Sequence, residues 1–223
     1  MHKPLDLIGG SRALQAGVAA LTLIAAGTQM VRADIIPYAN IGSPNLTSYS
    51  FTASATGDID AFFVGGGGAG FDNEMGLLIN GVSTGIIGLD NHSSTTGDEL
   101  DLGHANAGDT LVFVLQNNSL GMNAYSDPSL NVPYDSDGSV GHNHIYSTAY
   151  TATSPLLGSI PVGTYVAFED LPFPGADFNY DDESFVFTDV SVQTHGVPDA
   201  ASSLTLLGMG CGVMGFLKRR LSR

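Results

Sequence analysis

Short hydrophobic runs separated by turn residues recur along this chain, and in the first of them hydrophobic and polar positions alternate with a period of two. LTSYSFTA, from Leu46 to Ala53, sets Tyr49, Phe51 and Ala53 on one face of an extended segment. Asp58–Val64 reads as a second strand, broken by four glycines at 65–68. MGLLINGVSTGII, from Met75 to Ile87, is the clearest hairpin, because Asn80-Gly81 supplies the positive φ values of a two-residue type I′ turn. A polar loop follows from Asp90 to about Asp101. Thr110–Leu115, TLVFVL, is a continuous apolar run suited to a buried strand. Residues 117–142 are loop-rich. His144–Tyr150, Gly163–Phe168 and Ser184–Val192 complete the strand set.

Turn signals separate roughly eight or more short strands, and no convincing amphipathic helix stands among them. This pattern predicts an all-β fold, an antiparallel β-sandwich or jelly roll. No internal repeat of fixed period is visible. The body of residues 34–196 is of single-domain size and large enough for a real core. The four glycines are not followed by the Gly-Lys-Ser/Thr of a phosphate loop, so they read as a flexible turn.

Charge sharpens the picture. The net charge is −15, and the seven basic residues are Lys3, Arg12, Arg32, Lys218, Arg219, Arg220 and Arg223. None lies between Asp34 and Leu217, whereas 20 of the 22 acidic residues fall between Asp34 and His195. A body without Lys or Arg is unsuited to nucleic acid, whose binding requires cations that displace phosphate counterions. It is equally unsuited to anionic lipid. For the dispersed acids, a solvated acidic surface is a sufficient explanation. Cys211 is the only cysteine, so no disulfide can staple the body.

Where acids cluster, only a protonated histidine or a cation from solution can offset them. The densest cluster lies in residues 168–189, FEDLPFPGADFNYDDESFVFTD. Its oxygen donors are Glu169, Asp170, Asp177, Asn179, Asp181, Asp182 and Glu183. Asp177, Asn179 and Asp181 are spaced by two, which aims three donors to one side of an extended segment. Pro172 and Pro174 stiffen a short connection that can bring 169–170 back against 177–183. Calcium takes six to eight oxygens in a forgiving geometry, so Ca²⁺ is the expected cofactor. Zinc fits less well, because no Cys or His falls in the stretch. The alternative is a polar loop whose acids cap turns. Asp135-Ser136-Asp137-Gly138 resembles the opening of a calcium loop, but position twelve is Tyr146 rather than Glu. It reads first as an Asx turn, with Asp135 and Asp137 as a minor metal site in the second reading.

The two ends read as addresses. Residues 1–33 have a basic start, an apolar run from Ala13 to Ala26, and small residues at Val31 and Ala33. That is the pattern of a secretory signal helix, cleaved after Ala33 by signal peptidase once the Sec translocon has engaged it. A retained anchor is the alternative. At the other end, Val197-Pro198-Asp199 opens a polar box (197–203). A short hydrophobic helix of 14 uncharged residues (204–217) follows, then the basic stop Lys218-Arg219-Arg220 (218–223). At about 1.5 Å per residue the apolar stretch spans about 21 Å, short for a bilayer. The plain reading is a C-terminal membrane anchor.

The order of box, helix and basic stop resembles the PEP-CTERM sorting signal, in particular its VPDSG variant, although Ala200 and Ala201 replace the usual Ser-Gly. The resemblance implies processing by an exosortase-type membrane protease in a Gram-negative bacterium that makes exopolysaccharide. It places the protein at the cell surface or in the extracellular matrix. The boxes FEDLP and DFNYDDESFVF, with HNHIYSTAY at 142–150, resemble a secreted bacterial module, domain of unknown function 4114, over about residues 120–192. That likeness implies an extracellular β-domain with suspected calcium binding and supplies no reaction.

An enzyme is not expected. Glu169 or Glu183 with an Asp can serve a glycosidase in principle. Such clefts commonly carry Trp, however, and the chain has none. No Gly-x-Ser-x-Gly elbow is present. His92, His104, His142 and His144 form a candidate transition-metal set, against plain surface or turn hydrogen bonding. The expected function is a noncatalytic secreted or matrix protein with a Ca²⁺-stabilised acidic loop. An exopolysaccharide-binding module stacking sugars on Tyr38, Tyr125, Tyr134 or Tyr146 is the alternative, and a polysaccharide hydrolase the second alternative.

Overall fold

The computed structural model describes residues 36–195, apart from 67, 137, 139–140 and 152–159. The expected signal helix, the C-terminal sorting signal and Asp137 lie outside the described residues. Eleven strands run in order: β1 (Ser48–Ala53), β2 (Gly57–Gly65), β3 (Asn73–Ile79), β4 (Val82–Gly88), β5 (Glu99–Ala105), β6 (Thr110–Asn117), β7 (Met122–Tyr125), β8 (Ile145–Tyr150), β9 (Gly163–Phe168), β10 (Glu183–Phe187) and β11 (Val190–His195). A single 3₁₀ turn at Pro128–Leu130 is the one helical element among the described residues. None of them forms a helix long and apolar enough to cross a membrane.

The strands build two sheets, and all pairings are antiparallel. One has the order β11-β1-β6-β3-β4, with β7 also paired to β6. The other has the order β5-β2-β10-β9-β8. The hairpin expected at Asn80-Gly81 forms, with φ of 51° and 78° at the two turn residues. The segment expected as one strand over 184–192 is two strands. Asp189, at φ 55°, turns the chain so that β10 joins the second sheet and β11 pairs with β1 in the first.

Inward-facing side chains of both sheets share one core. Phe113 on β6 stacks on Phe187 of β10, with centroids 3.8 Å apart, and Phe51 packs edge-on against Phe113 at 5.0 Å. Ile59, Phe63, Met75, Leu77, Val166 and Phe168 extend the same core. Fully burying each such side chain is worth about 1.5–3 kcal/mol. The second sheet is covered on its other face too. Tyr38, Phe62, Val64, Tyr165, Tyr180 and Val186 form a second buried cluster there. Strand β10 is consequently buried at every position, from Glu183 to Phe187.

Candidate metal centre

The acidic site grows directly from the end of the β9–β10 ladder. Beyond Phe168, the Glu169 amide donates to the His144 carbonyl (2.9 Å), and the Asp182 amide donates to the Phe168 carbonyl (3.2 Å). These bonds hold residues 169–170 beside 182–183. The loop between them folds back on its own carboxylates. Phe178 N donates to Glu169 Oε2 (2.8 Å), Leu171 N to Glu169 Oε1 (3.3 Å), and Asp170 N to Asp182 Oδ2 (2.8 Å). Tyr180, at φ 54°, turns inward, and its hydroxyl accepts from Asn45 N (2.8 Å). The ring anchors the loop in the outer apolar cluster.

Glu169, Asp170 and Asp182 thereby converge. Each offers a carboxylate oxygen within 4.8 Å of the others, and all three are buried. Asp170 is further fixed from beneath. Its Oδ2 accepts from Asn73 Nδ2 (2.8 Å), and its carbonyl accepts from the Tyr134 hydroxyl and from Asn117 Nδ2 (3.3 Å). Asp170 and Asp182 line a cavity of about 230 Å³, with Asp177, Asn179 and Asp181 on its wall. Across the opening lies the glycine-rich segment 68–71. Asp177, Asn179 and Asp181 are tied to one another: Asn179 N donates to Asp177 Oδ1 (3.1 Å), and Asp181 N to Asn179 Oδ1 (3.0 Å).

Of the seven expected donors, Glu169, Asp170 and Asp182 converge, and Asp177, Asn179 and Asp181 line the adjoining cavity. Glu183 does not join them. Successive strand residues point to opposite faces, so Glu183 follows Phe185 and Phe187 toward the inter-sheet space. It is fully buried there, and neither carboxylate oxygen has a hydrogen-bond partner.

The electrostatics favour a cation. Burial, aided by the charge of Asp177, pushes Glu169 up to about 7. Burial and the neighbouring Asp170 push Asp182 up to about 8. Asp170 is raised chiefly by burial, and Glu183 lies well above the usual carboxylate range for the same reason. Carboxylates with raised values are short of positive charge. The donor set is entirely oxygen, which fits a hard cation such as Ca²⁺.

Asp135 is engaged differently. Burial opposes its ionisation, but donors outweigh it and hold the carboxyl below its usual value. The donors are His144 Nε2 (2.8 Å), His142 N (2.8 Å) and Phe173 N (3.0 Å). His144 in turn directs Nδ1 at the Glu169 carbonyl (3.1 Å). Both ring nitrogens face oxygen atoms of the loops on either side. His144 therefore ties the Asp135 loop to the backbone of the acidic site. The other histidines are dispersed. His104 pairs with Asp58 (2.9 Å) at the surface, and His142 stacks on Phe173 with centroids 3.7 Å apart.

Of the four tyrosines expected as sugar platforms, Tyr38 and Tyr134 are buried and cannot present a ring face to solvent. Tyr125 lines an open groove of about 470 Å³ with Met122, Leu130 and Pro133. Sequence reasoning missed Asn73 and Asn117, which orient Asp170, because isolated polar residues at strand ends carry no spacing signal, and it took Tyr134 for a sugar platform rather than a support of the Asp170 carbonyl. Comparison with protein-family models, curated proteins and solved structures finds no match. The likenesses carried by the FEDLP and Val-Pro-Asp motifs accordingly rest on those residues alone.

Proposed function

We propose that the protein is a noncatalytic, exported β-sandwich protein in which Ca²⁺ bound by Glu169, Asp170 and Asp182 fixes the 169–183 loop. The observation that carries this reading is the burial of three mutually close carboxylates in a body without Lys or Arg. Asp177, Asn179 and Asp181 supply further oxygens from the cavity wall. Export through the Sec translocon, and processing of the tail by an exosortase-type protease, are the proposed route to the cell surface or matrix. They rest on the residues at the two ends.

Thermal melting of the full chain, verified metal-free, tests the calcium reading. A ligand that binds only the folded state raises stability by RT ln(1 + [L]/Kd), so millimolar Ca²⁺ is expected to raise the melting temperature and EGTA to reverse it. An unchanged melt with no calorimetric heat of Ca²⁺ binding would overturn it. The paired change Asp177→Ala with Asp181→Ala is expected to weaken the calcium response without lowering metal-free stability. A second reading, binding of exopolysaccharide, is favoured by the Tyr125 groove. Tyr125→Ala abolishing retention on the polysaccharide would support it.

A further inference from the structure

An edge strand presents unpaired N–H and C=O groups to any other strand that can reach it. The edges here are β4 and β11 in the first sheet and β5 and β8 in the second. Three of them are blunted. In β4, Gly85 at φ 74° interrupts the ladder; its amide donates to Ser83 Oγ (3.1 Å), and the Ile86 amide donates to Thr84 Oγ1 (3.3 Å). In β5, Gly103 at φ 118° kinks the strand, and its amide donates to Asp101 Oδ1 (2.8 Å). In β8, the Ile145 amide donates to Asn143 Oδ1 (3.1 Å) and its carbonyl accepts from Asn45 Nδ2 (2.9 Å). Strand β11 has none of these devices. It runs from Val190 to His195 against β1 without a register shift, and none of its residues has a positive φ.

The backbone of β11 is also aligned for pairing. Ala53 donates its amide to the Asp109 carbonyl on the β6 side (2.9 Å), and Ser54 donates to the Asp189 carbonyl on the β11 side (2.7 Å). Backbone groups of successive strand residues point to opposite sides, so Ser191, Gln193 and His195 bond to Thr52, Ser50 and Ser48. Val192 and Thr194 therefore aim their N–H and C=O groups away from the sheet. The Val190 carbonyl is occupied by Thr164 Oγ1 (3.0 Å). Ser191, Gln193, Thr194 and His195 are exposed, and Val192 is half-buried against the core. Charge selects the occupant. The chain carries −15, yet SYSFTA of β1 and VSVQTH of β11 contain no carboxylate. Two like-charged copies meet least repulsion along this edge, whereas the β5 edge carries Glu99 and Asp101.

We propose that β11 is the interface through which two copies of this chain associate, by antiparallel pairing of β11 with β11 across a two-fold axis at Gln193. The free groups are self-complementary. Val192 exchanges both N–H···O bonds with Thr194 of the second copy, and Thr194 does the same with Val192 of that copy. Gln193 stands opposite its own equivalent on the outer face, at a closely spaced pair where the two side-chain amides bond each other. The two first sheets then run together as one. This association goes beyond the calcium reading and does not depend on it.

The experiment is sedimentation velocity of the full chain in millimolar CaCl₂ over a range of protein concentrations. The wild type is expected to show a monomer–dimer equilibrium. Thr194→Pro removes a donor that faces away from β1, so it costs no bond within the sheet, and it is expected to sediment as monomer. Gln193→Glu and Gln193→Lys each set like charges opposite one another at the axis, and each alone is expected to be monomeric. Their equimolar mixture is expected to recover the dimer, with one copy of each. Recovery shows that both variants are folded, and neither association through the chain ends nor calcium bridging between carboxylates produces it. A wild type that stays monomeric overturns the proposal. So does a dimer that persists in Thr194→Pro, or a mixture of the two charge variants that stays monomeric.

Discussion

Nε2 of His144 donates to Oδ1 of Asp135 across 2.8 Å, in a contact with almost no solvent access. The pair joins the loop before β8 to the acidic box after β9, since the same ring also faces the Glu169 carbonyl. Removing one partner leaves the other buried polar group without its hydrogen bond, a loss of about 1–3 kcal/mol. His144→Ala and Asp135→Ala are each expected to destabilise by that order in urea unfolding. The double mutant is expected to fall well short of the sum. Additive losses would show that the two side chains act independently.

A pH effect of definite sign follows from Glu169 and Asp182. Their folded-state values, about 7 and about 8, lie above unfolded values of about 4. Their contribution is complete below pH about 4 and is lost as pH rises through about 7 and then about 8. The metal-free protein is expected to be more stable at pH 5.5 than at pH 8.5, by on the order of a few kcal/mol, and to melt at a correspondingly higher temperature. Calcium is expected to reverse the slope, because it binds the ionised carboxylates and releases their protons. A calcium-independent pH profile would contradict the shared site.

Gly66 is the point at which the glycine-rich turn earns a structural reason. A methyl group there would meet the Asp182 carbonyl oxygen at 2.9 Å, and a backbone atom cannot swing aside as a side chain can. Gly66→Ala is expected to displace the 182–183 backbone, costing about 1–3 kcal/mol, and to weaken Ca²⁺ binding in a calorimetric titration with CaCl₂. Normal affinity in this variant would show that the turn does not position the site.

Phe187 is the contact between the sheets. Its ring stacks on Phe113 and is fully buried. Phe187→Ala is expected to cost about 3–5 kcal/mol in chemical denaturation. Calcium affinity, referred to the folded fraction, is expected to change little, because the acidic loop lies at the other end of β10.

Much of this arrangement is legible in residue order where one face of a strand is apolar and the other polar. Leu46–Ala53 and Met75–Ile87 are of that kind, and the Asn80-Gly81 turn has a chemical signature. Strand β5 escapes because ELDLGHA presents only Leu100, Leu102 and the small Ala105 to the core amid acids and a histidine. Strand β7 is four residues long, too short for a period to show. The change of sheet at Asp189 shows in the sequence only as a shift of parity, from apolar Phe185 and Phe187 to Val190 and Val192 across Thr188-Asp189, where a left-handed φ turns the chain. The acidic centre is legible as a density of carboxylates. Its division is not, because whether Glu183 points with Asp182 or away from it depends on where β10 begins.

The return of the chain across the two sheets has a mechanical consequence. Strand β11 lies at a sheet edge and pairs with β1 in register from Val190↔Ala53 to His195↔Ser48. A load that lifts His195 off the sheet strains one residue pair at a time and peels the strand like a zipper. A load along the strand axis strains all the pairs together. The same six-residue strand is thus weak to peeling and strong in shear, and the direction of pull at His195 sets the force at which the fold first yields.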